Sequence, residues 1–177
     1  MRYTRTAIAL HWLIAIGILG AFCVGLYMAD LPLSPQKLKI YSWHKWAGVS
    51  IFLLVLVRLT WRLGHRPPPA VDMPRWQTLA AETVHRVLYL LMFTIPLSGW
   101  LMSSAKGFQT VYFSVLPIPD LLSKDVELGK QLAEVHELLN WLMIALVAGH
   151  AAAALKHHLL DRDDTLRRML PWGSGPR

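Results

Sequence analysis

The chain has 177 residues, of which 54% are apolar, and its mean hydropathy is +0.37. A soluble domain of this length buries a single core and rarely averages so apolar, so the composition indicates a protein whose solvent is lipid. The 18 Lys and Arg exceed the 11 Asp and Glu, but they are dispersed between long apolar segments, which argues against nucleic-acid binding. The one cysteine, Cys23, excludes an internal disulfide framework, a cysteine-based zinc site and the C-x-x-C-H attachment of a c-type haem.

Four segments have the length and apolarity of a membrane-spanning helix, which needs about 20 residues to cross a hydrocarbon core of ~30 Å. They cover approximately residues 7–28, 43–63, 84–103 and 136–158. The first is too long for the apolar part of a signal peptide and lacks a small-residue cleavage site, so we expect it to be retained. The sequence therefore predicts an all-α integral membrane protein, with one domain over residues 1–177 built as a four-helix bundle.

The segment 106–134, between the third and fourth spans, is long for a membrane loop. Its residues 108–116 are amphiphilic and aromatic, which predicts a short helix lying at the membrane interface. From about Asp125 the composition favours a helix that continues into the fourth span.

The loop charges predict the orientation of the bundle. If both termini lie on the inner side, the inner segments carry twelve Lys and Arg and the outer segments carry six, all of them lysine. This imbalance follows the positive-inside rule. The inner residues are Arg2, Arg5, Arg58, Arg62, Arg66, Arg75, Arg86, Lys156, Arg162, Arg167, Arg168 and Arg177, and the outer ones are Lys37, Lys39, Lys45, Lys106, Lys124 and Lys130.

Histidines in the spans are the main functional signal, because hydrocarbon cannot solvate an ionisable side chain. His136 and His150 are 14 residues apart, nearly four helical turns, so they share one face of the fourth span at a separation of ~21 Å along its axis. The second span begins at the outer surface, which puts His44 level with His136. The first begins at the inner surface, which puts His11 near the level of His150. Pairs of imidazoles facing each other across a bundle are what a six-coordinate haem iron requires.

We therefore expect two non-covalent b-type haems, an outer one held by His44 and His136 and an inner one held by His11 and His150. His85 also lies near the inner surface, so whether His85 or His11 faces His150 stays open. A flat haem needs small residues on the helices that approach it, and the candidates are Gly17, Gly20, Gly48, Gly99 and Gly149.

Four further residues suit roles around the inner haem. Arg58 follows His44 by 14 residues on the same face, where it could pair with a haem propionate or tune the haem. His85 and His157 lie at the inner edge, where two imidazoles could bind the oxygens of a quinone and pass protons from the inner water. Arg75 could line the same pocket.

Other interpretations compete with this one. A lone membrane histidine more often forms a hydrogen bond between helices than ligates a metal. A histidine-lined proton or metal transporter is a further alternative, but transport sites usually recruit carboxylates at membrane depth, and the spans contain none away from their ends. His65, in an inner loop, and Glu137, at the surface, are expected to be solvated.

The sequence resembles the bacterial cytochrome b561 family over nearly its whole length. The His-Ala-Ala-Ala-Ala-Leu-x-His-His run that begins at His150 is specific to that family. The motifs occur in order: His11-Trp12, His44-Lys45-Trp46-Ala47-Gly48, Pro96-Leu97-Ser98-Gly99, His136-Glu137, residues 149–158 and residues 164–171.

The resemblance is strongest to family members that act as superoxide:ubiquinone oxidoreductases. It implies two b haems with the pairing given above, a ubiquinone site near the inner haem that includes His85 and His157, and a location in the bacterial inner membrane with cytoplasmic termini. It also implies that superoxide delivers electrons at a positively charged outer surface, where Lys37, Lys39 and Lys45 lie. A protein partner at the outer face is not required.

A more distant resemblance, to cytochrome b subunits of formate dehydrogenases and nickel–iron hydrogenases, implies an alternative. The chain would then be an electron conduit and membrane anchor for a periplasm-facing dehydrogenase or hydrogenase.

Overall fold

Four long helices form the protein. The computed structural model describes residues 2–69, 71 and 73–172, so Arg177, counted above among the inner charges, lies outside the described residues. The helices are α1 (Arg5–Ala29), α2 (Pro35–Gly64), α3 (Arg75–Ala105) and α4 (Val126–Lys156). A π-helical turn (His157–Asp161), a 3-10 turn (Arg167–Met169) and two short strands, β1 (Thr110–Tyr112) and β2 (Leu116–Ile118), complete the elements.

All four helices are long and apolar enough to cross a membrane, which confirms the predicted all-α, four-helix architecture. Large apolar side chains such as Ile16, Leu53 and Leu142 are exposed along them. Apolar surface of this extent is typical of helices that face lipid rather than water. We call the end of the bundle that carries the α1–α2 and α3–α4 connections the outer end, following the charge rule, and the opposite end the inner end.

Side chains cap the beginnings of α1, α2 and α4. The side-chain oxygens of Thr4 and Ser34 accept hydrogen bonds from the first turns of α1 and α2, and Pro35 occupies the start of α2, where its missing N–H costs nothing. Asp125 accepts from two backbone N–H groups at the start of α4. This cap explains why the fourth helix begins close to Asp125, as the composition predicted.

The bundle consists of two helix pairs. α1 packs on α2 and α3 packs on α4, while α2 and α3 join the pairs. A small buried cluster of Ile14, Ile51 and Val55 lies where α1 meets α2. Phe22 of α1 meets Trp141 of α4 edge to face at 5.2 Å between ring centres. The space between the two pairs is where histidines from different helices face each other.

The predicted interfacial helix at 108–116 is wrong, because this segment forms a β-hairpin. β1 pairs antiparallel with β2, with Thr110 opposite Ile118. Phe113 and Ser114 make the turn in left-handed conformations. Alternating β-branched and aromatic residues favour a strand, and the indole N–H of Trp46 on α2 donates to the Val111 carbonyl at 2.7 Å, which anchors the hairpin to the bundle.

At the inner end, the chain after α4 folds back under the bundle. Trp12 donates its indole N–H to the Met169 carbonyl, and Arg2 donates to the Leu170 carbonyl, both at 2.7 Å. We call residues 162–170 the inner strap, since they connect the end of α4 to the beginning of α1.

The junction of α3 and α4 generates a prediction on stability. Gly129 is buried, and a Cβ added there would lie 2.8 Å from Cγ of Lys106 and 3.4 Å from its backbone nitrogen. We expect Gly129→Val to destabilise the protein by ~1–3 kcal/mol through overpacking, measured as a lower thermal unfolding midpoint in detergent. Gly64→Val is the matched control, because Gly64 is exposed at the end of α2 and an added Cβ meets nothing within 4 Å. Equal midpoints for the two variants would contradict the close packing described here.

Candidate functional site

The outer histidines line one cavity between the helix pairs. His44 of α2 and His136 of α4 both border this cavity, whose volume is about 360 Å³. The rest of its lining is mostly apolar and includes Gly48 and Gly99, while Lys45 lies at its border. An apolar slot between facing imidazoles is the environment that a non-covalent haem needs.

Hydrogen bonds fix the ring of His136. The Ser98 hydroxyl donates its only proton to the Ile95 carbonyl at 2.8 Å, so the Ser98 oxygen accepts from Nδ1–H of His136 at 2.9 Å. The second ring nitrogen, Nε2, then carries the lone pair that can ligate a metal. A Cβ added at Gly99 would lie 3.1 Å from Cε1 of His136. Ser98 therefore sets the tautomer of His136, and Gly99 makes room for its ring.

His44 is packed in the same way within the other helix pair, formed by α1 and α2. A Cβ added at Gly25 of α1 would lie 3.4 Å from Cε1 of His44. The buried Nδ1 of His44 has no well-formed hydrogen bond within the described part of the chain, although the Ala21 carbonyl lies beside the ring. Each outer histidine thus rests on a glycine of the neighbouring helix in its own pair.

Three histidines meet near the inner end. The ring centres of His11 and His150 are 6.3 Å apart, and those of His85 and His150 are 5.2 Å apart. Two imidazoles that ligate one metal from opposite sides have ring centres about 6 Å apart, since each metal–nitrogen bond is about 2 Å long. The separation of His11 and His150 matches this arrangement, and that of His85 and His150 is too short for it.

Arg58 lies beside this inner cluster. Its Nη1 donates to the Ala7 carbonyl at 3.2 Å, one turn before His11, and its Nε donates to the Tyr89 hydroxyl at 3.1 Å, one turn after His85. Within the described residues, Nη2 of Arg58 makes no hydrogen bond and could pair with a propionate. The guanidinium of Arg62 lies over the Tyr89 ring, 5.8 Å from its centre.

The structure places the three residues predicted for the quinone pocket in different surroundings. His85 is in contact with His150 and is exposed at the bundle surface. His157 begins the π-helical turn, about 10 Å along the α4 axis from His150, and its Nδ1 lies 2.7 Å from Oδ2 of Asp163. Arg75 is the exposed first residue of α3, ten residues before His85, so the structure does not bring it into contact with either histidine.

Asp163 is held as an anion at neutral pH. Burial alone would raise the pKa of its carboxyl, but hydrogen bonds from the Thr165 backbone N–H and the His157 ring outweigh this effect and lower the pKa below its ordinary value. An ionised carboxylate accepts hydrogen bonds only, so Nδ1 of His157 carries the proton between the two groups.

The three outer lysines predicted to attract superoxide differ in their surroundings. Lys37 donates to the Ala29 and Leu31 carbonyls at the end of α1, and Lys39 lies over the ring of Trp43 at 5.2 Å. Lys45 donates to the Phe108 carbonyl at 2.8 Å and also borders the outer cavity. Of these three lysines, Lys45 is therefore the one placed at the cavity of the outer histidines.

The donor set fits b-type haem at both levels. Imidazoles of α4 face imidazoles of α2 and α1, and a Cβ at Gly48 or Gly149 would meet nothing within 4 Å, which leaves open space next to the helices. His44 and His136 would hold the outer haem, and His11 and His150 the inner one. Apolar membrane helices that present histidine pairs in this way define a class, the membrane cytochromes b.

Comparisons with known proteins agree with that class. A sequence model of prokaryotic cytochrome b561 matches residues 2–172, so the chain belongs to the prokaryotic cytochrome b561 family. It is 36% identical over 171 residues to cytochrome b561 homolog 2 of Escherichia coli (strain K12), covering 96% of this chain and 91% of that protein. It is 29% identical to cytochrome b561 homolog 1 of the same organism, over 96% and 97% of the two chains. It is 28% identical to a probable superoxide oxidase, CybB, of Yersinia pestis, over 96% of both.

Family and fold together establish the general activity. The chain is a multi-pass bacterial membrane protein of an oxidoreductase-like family that binds b-type haem and transfers electrons. The predicted family is confirmed.

Sequence reasoning missed three residues that shape the site. Ser98, Tyr89 and Asp163 contact His136, Arg58 and His157 respectively. Ser98 lies in the Pro-Leu-Ser-Gly motif noted above, and this motif was the one sequence feature that could have pointed to its contact with His136. Tyr89 and Asp163 come into contact only through the packing of α3 on α2 and the turn after α4, and no local pattern announces either contact.

The Ser98 contact can be tested by haem content. Loss of a group that orients a metal-bound histidine typically costs 10–100-fold in affinity, so we expect Ser98→Ala to reduce retention of one haem during detergent purification, measured by pyridine haemochrome. The control is Ser42→Ala, because Ser42 also donates to a carbonyl of its own helix but makes no described contact with a histidine. Unchanged haem content in both variants would refute the role assigned to Ser98.

Proposed function

We propose that this protein is a superoxide:ubiquinone oxidoreductase, which takes electrons from superoxide at the outer face and passes them through two b haems to ubiquinone near the inner face. The observation that carries the proposal is the placement of two histidine sites at opposite ends of one bundle, joined by α4. The outer site lies in a cavity next to Lys45, and the inner site lies near the paired His157 and Asp163. The similarity to a probable superoxide oxidase of Yersinia pestis supports this choice of donor.

In this proposal the inner haem ligands are His11 and His150. The ring separation of 6.3 Å favours this pair over His85 and His150. Haem b, when bound, supplies one-electron transfer. The chain contributes the axial imidazoles, fixes the tautomer of His136 through Ser98, and keeps the space between the helix pairs apolar.

His85 is then free to bind a quinone oxygen, together with His157. Both residues lie at the inner end, where protons are available from water. Superoxide is oxidised and the quinone is reduced, so that two superoxide, one quinone and two protons give two oxygen and one quinol. The chain's part at this end is to bind the quinone oxygens and deliver the protons.

On the outer side, the positive charge of Lys45 attracts the superoxide anion. A single local charge at a low-dielectric cavity raises the rate of anion encounter even when the surface as a whole is balanced. Lys37 and Lys39 lie on the same helix, about two turns earlier, and extend the attractive field.

The proposal is tested by a direct reaction. The purified chain in detergent is mixed with a short-chain ubiquinone and an enzymatic superoxide source, and quinol formation is followed with and without superoxide dismutase. Quinol formation that dismutase suppresses supports the oxidoreductase. Absence of any reaction in haem-loaded protein refutes it and favours the alternative role of an electron conduit for a separate dehydrogenase.

Removal of one outer ligand should distinguish the two haems. We expect His136→Ala to lower the haem-to-protein ratio from two to about one, because the outer iron loses an axial ligand while the inner pair is intact. Pyridine haemochrome analysis and the reduced absorption spectrum measure this change. His65→Ala is the control, since His65 stacks on Trp61 at the end of α2, away from both sites. Retention of both haems in His136→Ala would refute the assignment.

Neutralising the charge at the outer cavity should slow the reaction with superoxide. We expect Lys45→Gln to lower the rate of superoxide-driven quinol formation roughly 3- to 10-fold at low salt and to reduce its dependence on ionic strength. Lys130→Gln is the control, because Lys130 is exposed on the outer side and already pairs with Glu127. Equal salt dependence in the two variants would show that Lys45 does not guide the anion.

A further inference from the structure

The pair formed by His157 and Asp163 is built by an unusual local backbone. α4 changes from α-helical to π-helical geometry at His157, and Arg162 then takes a left-handed conformation with φ 55°. The Asp163 N–H donates to the His157 carbonyl at 3.1 Å and closes the turn. π-helical turns and left-handed non-glycine residues cost energy and are often found at functional sites. Here their result is to bring the Asp163 carboxylate back onto the His157 ring.

Both carboxylate oxygens of Asp163 are used. Oδ2 lies 2.7 Å from Nδ1 of His157, and Oδ1 accepts from the Thr165 N–H at 2.8 Å. The two side chains are largely buried, with 15% of His157 and 17% of Asp163 exposed. A carboxylate held at both oxygens fixes the ring of the histidine it contacts, as in other carboxylate–histidine pairs.

Asp161 also approaches this ring, but its main partner is different. Its Oδ2 lies 2.7 Å from Nζ of Lys156 and 3.1 Å from Nδ1 of His157. Asp163, in contrast, makes its only described ion pair with His157. Asp161 therefore serves as the natural control for Asp163: it is an aspartate of the same turn, near the same ring, whose charge is already compensated by a lysine.

The part of the inner strap that follows Asp163 attaches this residue to α1. Four residues after Asp163 the chain enters the 3-10 turn, where the Met169 carbonyl accepts a hydrogen bond from the Trp12 indole N–H. Trp12 directly follows His11, so the segment that carries Asp163 is attached to the helix that carries an inner haem ligand. The carboxylate is thereby fixed relative to the inner histidine cluster as well as to α4.

We propose that Asp163 is the positioning residue for proton delivery to the quinone, in that it holds Nδ1–H of His157 and so directs Nε2 toward the quinone oxygen. This inference rests on the proposed function, because it requires quinone to be reduced at the inner end. A proton on Nε2 of His157 passes to a quinone oxygen as the quinone accepts an electron that originates from superoxide, and Nε2 is protonated again from the inner water. The negative charge of Asp163 stabilises the imidazolium that exists before each transfer to the quinone, when both ring nitrogens carry a proton.

The test compares Asp163→Asn with Asp161→Asn in the haem-loaded protein. We expect Asp163→Asn to lower kcat for quinol formation by about 10- to 100-fold, to change KM for quinone by less than about 3-fold, and to leave the haem content and the thermal midpoint unchanged. Asp161→Asn should keep nearly wild-type kcat. Asp163→Glu should restore part of the rate, because it restores the charge.

A double-mutant cycle excludes a merely structural role. We expect Asp163→Asn to have no further effect on kcat in a His157→Ala background, because Asp163 acts through the ring that is missing there. The ¹⁵N shifts of His157 in the reduced, ¹⁵N-histidine-labelled protein should also show that its proton is no longer fixed on Nδ1 in Asp163→Asn. Equal effects of Asp163→Asn in both backgrounds, equal kcat in Asp163→Asn and Asp161→Asn, or loss of haem from Asp163→Asn would overturn the proposal.

A second assay tests the proposed role of Asp163 without depending on superoxide as the electron donor. Ubiquinol is added to the oxidised protein, and reduction of its haem is followed by absorbance, which needs the quinone site but no superoxide. If the wild type reacts with quinol but not with superoxide, the proposed donor is wrong and the Asp163 comparison is made in this assay. If the wild type reacts with neither, both proposals are overturned.

Discussion

Hydrocarbon cannot solvate an imidazole, and the arrangement of this protein follows from that constraint. The histidines of the two sites accordingly face neighbouring helices. His136 donates to a serine of α3, His11 and His85 meet His150, and His44 rests against α1. The fourteen residues between His136 and His150 bring both to the same side of α4, so one helix contributes to two sites at different depths.

The same constraint explains why so little of the protein is a conventional core. In a lipid solvent the outer faces of the helices gain nothing from being buried, and packing between small residues holds the bundle together. The described buried cluster contains only Ile14, Ile51 and Val55. The two helix pairs are left apart at the level of His44 and His136, where the structure has a cavity instead of interdigitated side chains. The space needed for cofactors and the small size of the core are therefore two results of one packing scheme.

The sequence was most informative where periodicity determines the outcome. Apolar length predicted four helices, Asp125 marked the start of α4, and the spacing of the histidines predicted which rings could share a level. It was least informative where contacts come from turns. The 108–116 segment has an amphiphilic pattern that fits a helix, yet its β-branched residues pair as strands against α2. The contact of Asp163 with His157 needs a π-helical turn and a left-handed residue, which no propensity indicates.

The non-helical segments at the two ends of the bundle satisfy their backbone carbonyls in the same way. Backbone outside a helix has free carbonyls, and near hydrocarbon these need donors from the protein. Indole N–H groups supply them: Trp46 and Trp100 donate to the carbonyls of Val111 and Pro119 at the outer end, and Trp12 donates to Met169 at the inner end. A tryptophan combines an apolar body with a single polar atom, which suits it to the membrane interface. Because Trp12 and Trp46 are neighbours in sequence of His11 and His44, the same short motifs that place the imidazoles also hold the hairpin and the inner strap over them. The positions of the segments at the outer and inner ends are thereby fixed relative to the helices that carry the histidines.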